Sequence, residues 1–209
     1  MRRPVLLACL VALLLLPGRG AHAQQTPEAD ARRVEQSVSA LQDAKRAHLW
    51  RVAAWGSANA LGGLALVWGS GRARQPAFWN FGAMTAGWGA VNVGIAAAGL
   101  YAASPPEATA AAVLGAERQF HDILLFNLGL NVAYSAVGAT MLGAGYRDVA
   151  SAGRWRGFGT SLILQGAGLL VLDGIAFFAS RARLATLLDA GVSLSAHPLP
   201  AGAALTLRF

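Results

Sequence analysis

The sequence predicts an all-α membrane fold: a signal peptide, a short amphipathic helix, an antiparallel bundle of four transmembrane helices and a short C-terminal β-hairpin tail. Three observations carry it. Hydrophobic residues make up 55% of the chain and charged residues only 13%, against about 25% charged in a soluble domain. Four long runs, at about 49–69, 77–101, 123–145 and 157–180, are almost free of charge, and each is close to the ~20 residues that cross a bilayer as a helix. Aromatic rings mark the ends of these runs, among them Trp50, Trp68, Trp79, Tyr101, Tyr146 and Trp155. Such rings sit where one edge wants lipid and the other water.

The elements follow in chain order. Arg2 and Arg3 form a positive leader, residues 4–16 a short apolar stretch, and Ala21-His22-Ala23 a small-x-small cleavage site. Residues 1–23 therefore read as a secretory signal. Cys9 lies too early in the apolar stretch to be a lipid acceptor, so the mature chain is expected to have no cysteine and no thiol chemistry. Thr26-Pro27-Glu28 is a helix start with a capping hydroxyl, a proline in the first turn and an acid behind it. Val34, Val38 and Leu41 then recur at helical spacing among charges, which makes 24–48 an extracytoplasmic amphipathic helix leading into the first span.

The formal charge of +7 does not point to nucleic acid. Three of the 17 basic residues, Arg2, Arg3 and Arg19, lie in the signal segment, and the rest flank apolar ends rather than striping one face. Arg and Lys are nearly balanced between the two sides of the bundle, so they do not orient it. Cleavage of a signal does: it leaves the new N-terminus outside, and four spans return the tail of 181–209 to the same side. The expected location is the inner membrane, with both mature termini extracytoplasmic and the connection from Ser104 to His121, carrying Glu107 and Glu117, also outside. In the tail Val192, Leu194 and Ala196 alternate, Pro198, Pro200 and Gly202 break the run, and Leu205, Leu207 and Phe209 alternate again, as a β-hairpin would. An outer-membrane barrel is excluded, because the other runs are too long and too continuously apolar for its strands.

Inside lipid, helices associate through close packing of small residues. Gly56, Ala60 and Gly63 supply one such set, and Gly82, Ala86, Ala90, Gly94 and Ala98 a four-residue stripe on the second span. Phe81-Gly82 followed by Trp88-Gly89-Ala90 is echoed by Phe158-Gly159 followed by Gln165-Gly166-Ala167. The echo suggests two tandem hairpins related by a twofold along the membrane normal.

Chemistry can be argued only from the polar residues within the spans: Asn59, Asn92, Asn127, Asn131, Tyr134, Gln165 and Asp173. Counted from the outer ends, Asn59, Asn92, Asn131 and Asp173 fall at a similar depth, roughly 10–14 Å at ~1.5 Å per residue. They should form one polar layer. A mid-span Asp costs about 2.5–3.5 kcal/mol on insertion, so Asp173 should face the bundle interior, with Asn59, Asn92, Asn131 or the Tyr134 hydroxyl as donors. The layer is either a candidate ligand site or a hydrogen-bonded buckle. His48, His121 and His197 are expected outside the membrane and lack the spacing of a metal site. No nucleophile, metal or nucleotide motif is present, so neither enzymatic activity nor a cofactor is expected.

Three segments carry a resemblance: Gly87-Trp88-Gly89-Ala90-Val91-Asn92-Val93-Gly94-Ile95-Ala96, Leu125-Phe126-Asn127-Leu128-Gly129-Leu130-Asn131-Val132-Ala133-Tyr134, and Gly159 through Gln165-Gly166 to Asp173. Over about 50–180 the chain resembles a family of bacterial four-helix integral membrane proteins defined as a domain of unknown function. The resemblance implies membrane location and a four-span core, and transfers no activity. The function expected from the sequence is a non-enzymatic assembly or partner-binding subunit whose polar layer is structural. Its partners would be the lipid bilayer, further copies of itself or another membrane protein, and not nucleic acid. The alternative is a small-solute or ion/proton permease that uses Asp173 and the asparagines.

Overall fold

In the computed structural model, residues 27–191, 193–199 and 202–208 are described; the expected signal segment, 1–23, lies outside them. The chain divides into two compact units, Met1–Arg32 and Arg33–Phe209. Of the first only 27–32 are described, and the second holds the rest of the fold. That fold is helical. Helix α1 (Pro27–Ser70) joins the expected amphipathic helix and first span without a break, because no glycine or proline interrupts the chain between Glu28 and Trp55. Gly71 ends it with a φ of 70°, a left-handed conformation that glycine adopts without steric cost. Pro76 opens α2 (Pro76–Ala102) in its first turn, where its missing N–H costs nothing.

Helix α3 (Ala110–Ala144) starts well before the expected span. Thr109 caps it, its hydroxyl accepting from the Ala112 N–H at 3.2 Å, and the following alanines are the strongest helix formers. Glu117 and His121, expected in an outer loop, are therefore on a helix. Helix α4 (Ala152–Gly191) likewise continues past the expected end at residue 180. Beyond it, Ser193–Leu199 and Gly202–Arg208 run antiparallel to each other.

Three helical segments, Pro76–Ala102, Ala110–Ala144 and Ala152–Asp189, are long and apolar enough to cross a membrane. The expected first span, 49–69, is helical throughout but is not among them. Arg51, Asn59 and the interspersed glycines and serine lower its hydropathy. Large apolar side chains point away from the bundle, including Leu61, Trp68, Phe126 and Phe178, while Asn59, Thr85, Asn92, Ser161, Gln165 and Asp173 are buried. Apolar outside with polar inside is the distribution a lipid environment favours and water does not.

Glycines set the spacing of the helices. A Cβ on Gly63 would stand 2.5 Å from the Gly82 carbonyl oxygen and the Ala86 nitrogen, and Gly89 meets Gly56 and Ala60 just as closely. The seam on α2 therefore runs through Gly82, Ala86 and Gly89, whereas Ala90, Gly94 and Ala98 of the expected stripe are exposed. At 3.6 residues per turn, each four-residue step drifts about 40° around the helix, so a long four-residue stripe leaves the contact face after one or two steps. The echoed glycines behave alike in both hairpins. Gly138 meets Gly159 and Ile163 as Gly63 meets Gly82 and Ala86, and Gly166 meets Asn131 and Ser135 as Gly89 meets Gly56 and Ala60. Between the hairpins, Thr85 on α2 and Ser161 on α4 share a buried hydrogen bond of 2.8 Å.

Candidate functional site

The expected single polar layer is two. Along α4, Gln165 and Asp173 lie eight residues, about 12 Å, apart, and each gathers its own partners. The end-of-span count failed because α3 and α4 run past the assumed ends.

In the first layer Gln165, 1% exposed, donates from Nε2 to Asn59 Oδ1 at 2.7 Å. Its Oε1 accepts from Trp55 Nε1 at 3.1 Å and from Asn92 Nδ2 at 3.4 Å. Asn59 also donates to the Trp55 carbonyl at 2.7 Å. This network links α1, α2 and α4 and satisfies the groups it buries. Replacing Gln165 by Leu would strand the Trp55 and Asn92 donors and the Asn59 oxygen. We expect it to lower stability by about 1–3 kcal/mol, measured by thermal unfolding in detergent. By the register of the two hairpins, the equivalent pair on the other side is Trp88 and Tyr134, whose rings meet at 5.1 Å. One side of the bundle is closed by hydrogen bonds, the other by aromatic contact.

In the second layer Asp173, 4% exposed, accepts from Asn131 Nδ2 at 2.6 Å and pairs with His48 Nε2 at 3.2 Å. Side chains on antiparallel helices both lean towards their own N-termini, which brings Asn131 and Asp173 together. Asn59 and Asn92, expected as donors to Asp173, bond to Gln165 instead. His48, expected outside, is buried against Asp173, because α1 carries it inward. Its Nδ1 is buried without a hydrogen-bond partner.

Asp173, His48 and Asn131 form one wall of a cavity of about 600 Å³, the size of many small-molecule sites. Asn92, Asn127 and Tyr134 also line it, so of the seven expected residues only Asn59 and Gln165 do not. Along α3 the lining runs from Gln119 to Tyr134, roughly 22 Å of helix. At one end stand Gln42, Lys45 and Ser104, at the other Trp88 and Tyr134. Ile95 and Ile123 line the cavity and are 60% and 50% exposed, so it opens between α2 and α3.

A charged cluster adjoins its mouth. Glu117, 1% exposed, accepts from Ser180 Oγ at 2.5 Å and from Arg183 Nε and Nη2, each at 2.9 Å. Lys45 lies over the Phe120 ring, 5.8 Å from its centroid, and among the described residues no carboxylate pairs with it. Burial lowers the Lys45 pKa below the usual lysine value, and the negative charge of Glu117 opposes that shift. Glu117→Gln should therefore lower the Lys45 pKa further, moving the pH profile of amine labelling at Lys45 to lower pH. An unmoved profile would show that the two groups do not interact. His48, Lys45, Glu117 and Arg183 were not among the expected site residues. The signals available for them were the run free of glycine and proline around 48 and the Thr109 cap with its following alanines ahead of 117, which extend both helices through these positions.

Among the described residues no group of three or more His, Cys, Asp and Glu side chains is placed to hold a metal ion. No curated protein and no solved structure matches the chain. A family model matches residues 51–174, a segment holding the glycine seams, the Gln165 network, and Asp173 with its partner Asn131. The chain belongs to DUF6992, a family of unknown function.

Proposed function

We propose that the protein is a non-enzymatic integral membrane protein that binds a small polar molecule in the cavity between its helices. In this reading all four helices span the inner membrane, the signal segment is cleaved, and both mature termini and the tail hairpin are extracytoplasmic. The observation that carries it is the position of Asp173: a costly intramembrane carboxylate, partnered by His48 and Asn131, on the wall of a cavity of about 600 Å³. A residue kept only to hold helices together has no need of a cavity. The Gln165 network, which does not line the cavity through Gln165 or Asn59, serves that structural purpose and accounts for the buckle expected from the sequence.

Saturable binding of a polar solute to the purified protein in nanodiscs, without flux in liposomes, is the expected result. Asp173→Asn should weaken that binding while the protein elutes as the wild type does on gel filtration. Flux through the wild type would turn the reading into the permease, which shares the same residues. Absence of saturable binding across a panel of charged and uncharged polar metabolites would end it. An assembly role has its own support, since glycines 62, 69, 87 and 94 face open space on α1 and α2, where a second helix can approach closely. Intermolecular cross-linking through cysteines placed at 62 and 87 tests it.

A further inference from the structure

We propose that the ligand of this cavity is a monocarboxylate carrying a hydroxyl or amide at its other end, its carboxylate held by Lys45 and its far end by Asp173 and Asn127. The inference rests on the binding role proposed for the cavity and adds the ligand's charge and polarity. Three observations support it.

The cavity's charges are unevenly satisfied. Asp173 has a donor on each oxygen, from His48 and Asn131. Lys45 also lines the cavity, but among the described residues it has no carboxylate within ion-pair distance. The nearby acid, Glu117, is occupied by Arg183 and Ser180. A half-buried ammonium loses hydration without gaining a counter-charge, and burial accordingly lowers its pKa. An anion supplied from solution would restore the missing partner through a charge-assisted hydrogen bond.

The second observation limits that anion to a single charge. Asp173 faces the same space, so a dianion would meet its negative charge with only one lysine in compensation. The third sets length and polarity. Lys45 and His48 are three residues apart on α1, about 4.5 Å along the axis, and His48 marks the level of Asp173. Deeper in the cavity the unspent polar capacity belongs to Asn127, Asn92, the Tyr134 hydroxyl, Nδ1 of His48 and the remaining lone pairs of Asp173. A chain of about four carbons reaches from one level to the other, and Ile95 and Ile123 offer its methylenes an apolar wall.

The test uses the full chain in nanodiscs and isothermal titration with 4-hydroxybutyrate, its uncharged amide, butyrate and inorganic phosphate. The hydroxy acid should bind, the amide and butyrate at least tenfold more weakly, and phosphate weakest. Lys45→Gln should weaken the hydroxy acid tenfold or more while Lys45→Arg largely retains it, and neither change should alter the weak binding of the amide. Should Lys45→Gln unfold the protein, reversible acylation of Lys45 on the folded protein replaces it, with the same expected loss. Equal affinity for acid and amide, or stronger binding of phosphate, overturns the ligand class but leaves a binding cavity standing. Binding of none of the four overturns the class as well. The role itself then stands or falls on the metabolite panel, which also includes solutes of other charge.

Discussion

Asp173→Ala is expected to destabilise the protein by roughly 3 kcal/mol, the upper part of the range for leaving buried hydrogen-bonding groups without their partner. The change leaves the His48 ring and the Asn131 amide without the carboxylate that both address. Nδ1 of His48 already lacks a partner, so the mutant ring would be stranded at both nitrogens. The cavity beside them can admit water to the freed donors, which keeps the cost within that range. Asp173→Asn preserves shape and an acceptor and should cost less than half as much. A double-mutant cycle with His48→Ala gives the sharper measurement, read as denaturation midpoints in one detergent. If the pair is as drawn, the double mutant loses less than the sum of the singles by at least about 1 kcal/mol. Strict additivity would mean that His48 and Asp173 do not interact.

The second large effect is expected at Gly89. Any side chain there meets the backbone of α1 at Gly56 and Ala60, and backbone cannot move aside as a flexible side chain can. Overpacking a core by a few methylenes costs about 1–3 kcal/mol. Gly89→Leu, which separates two whole helices, should cost at least about 3 kcal/mol on that scale and reduce the yield of monodisperse protein. Gly94→Leu is the internal control. It lies on the same helix, five residues on, but faces open space and should leave the unfolding midpoint within a degree or two. Equal damage from the two would mean that helix propensity, not the seam, decides. Gly166→Leu repeats the experiment in the second hairpin, where Asn131 and Ser135 of α3 close the space, and should resemble Gly89→Leu.

These cases show how far local pattern reaches. The apolar runs, their approximate number and the helix start at Pro27 were legible, because each depends on residues within one or two turns. The small residues Gly56, Ala60 and Gly63 were legible for the same reason, and all three lie on the α1–α2 seam. The four-residue stripe on α2 was misread beyond Ala86, because counting by four ignores helical drift. The seven polar positions were legible as a set, since an Asp or Asn within an apolar run stands out wherever it points. Their grouping was not. Asn59, Asn92 and Asp173 were placed in one layer by counting from span ends, yet helices that overrun those ends by several residues shift every count.

By itself, then, the sequence determined composition, the cores of the apolar helical runs and the presence of polar groups within them, all of which follow from the free energies of single side chains and single turns. Only the tertiary structure decided that Asp173 meets His48 rather than the amides of Asn59 and Asn92, that Gln165 gathers those amides, and that Asp173 lines a cavity while Gln165 does not. The reason is geometric. Partner choice between helices depends on their crossing angles and closest approach, and here both are set by glycine contacts between residues far apart in the chain, such as Gly89 and Gly56, Gly166 and Asn131, or Gly157 and Ala77.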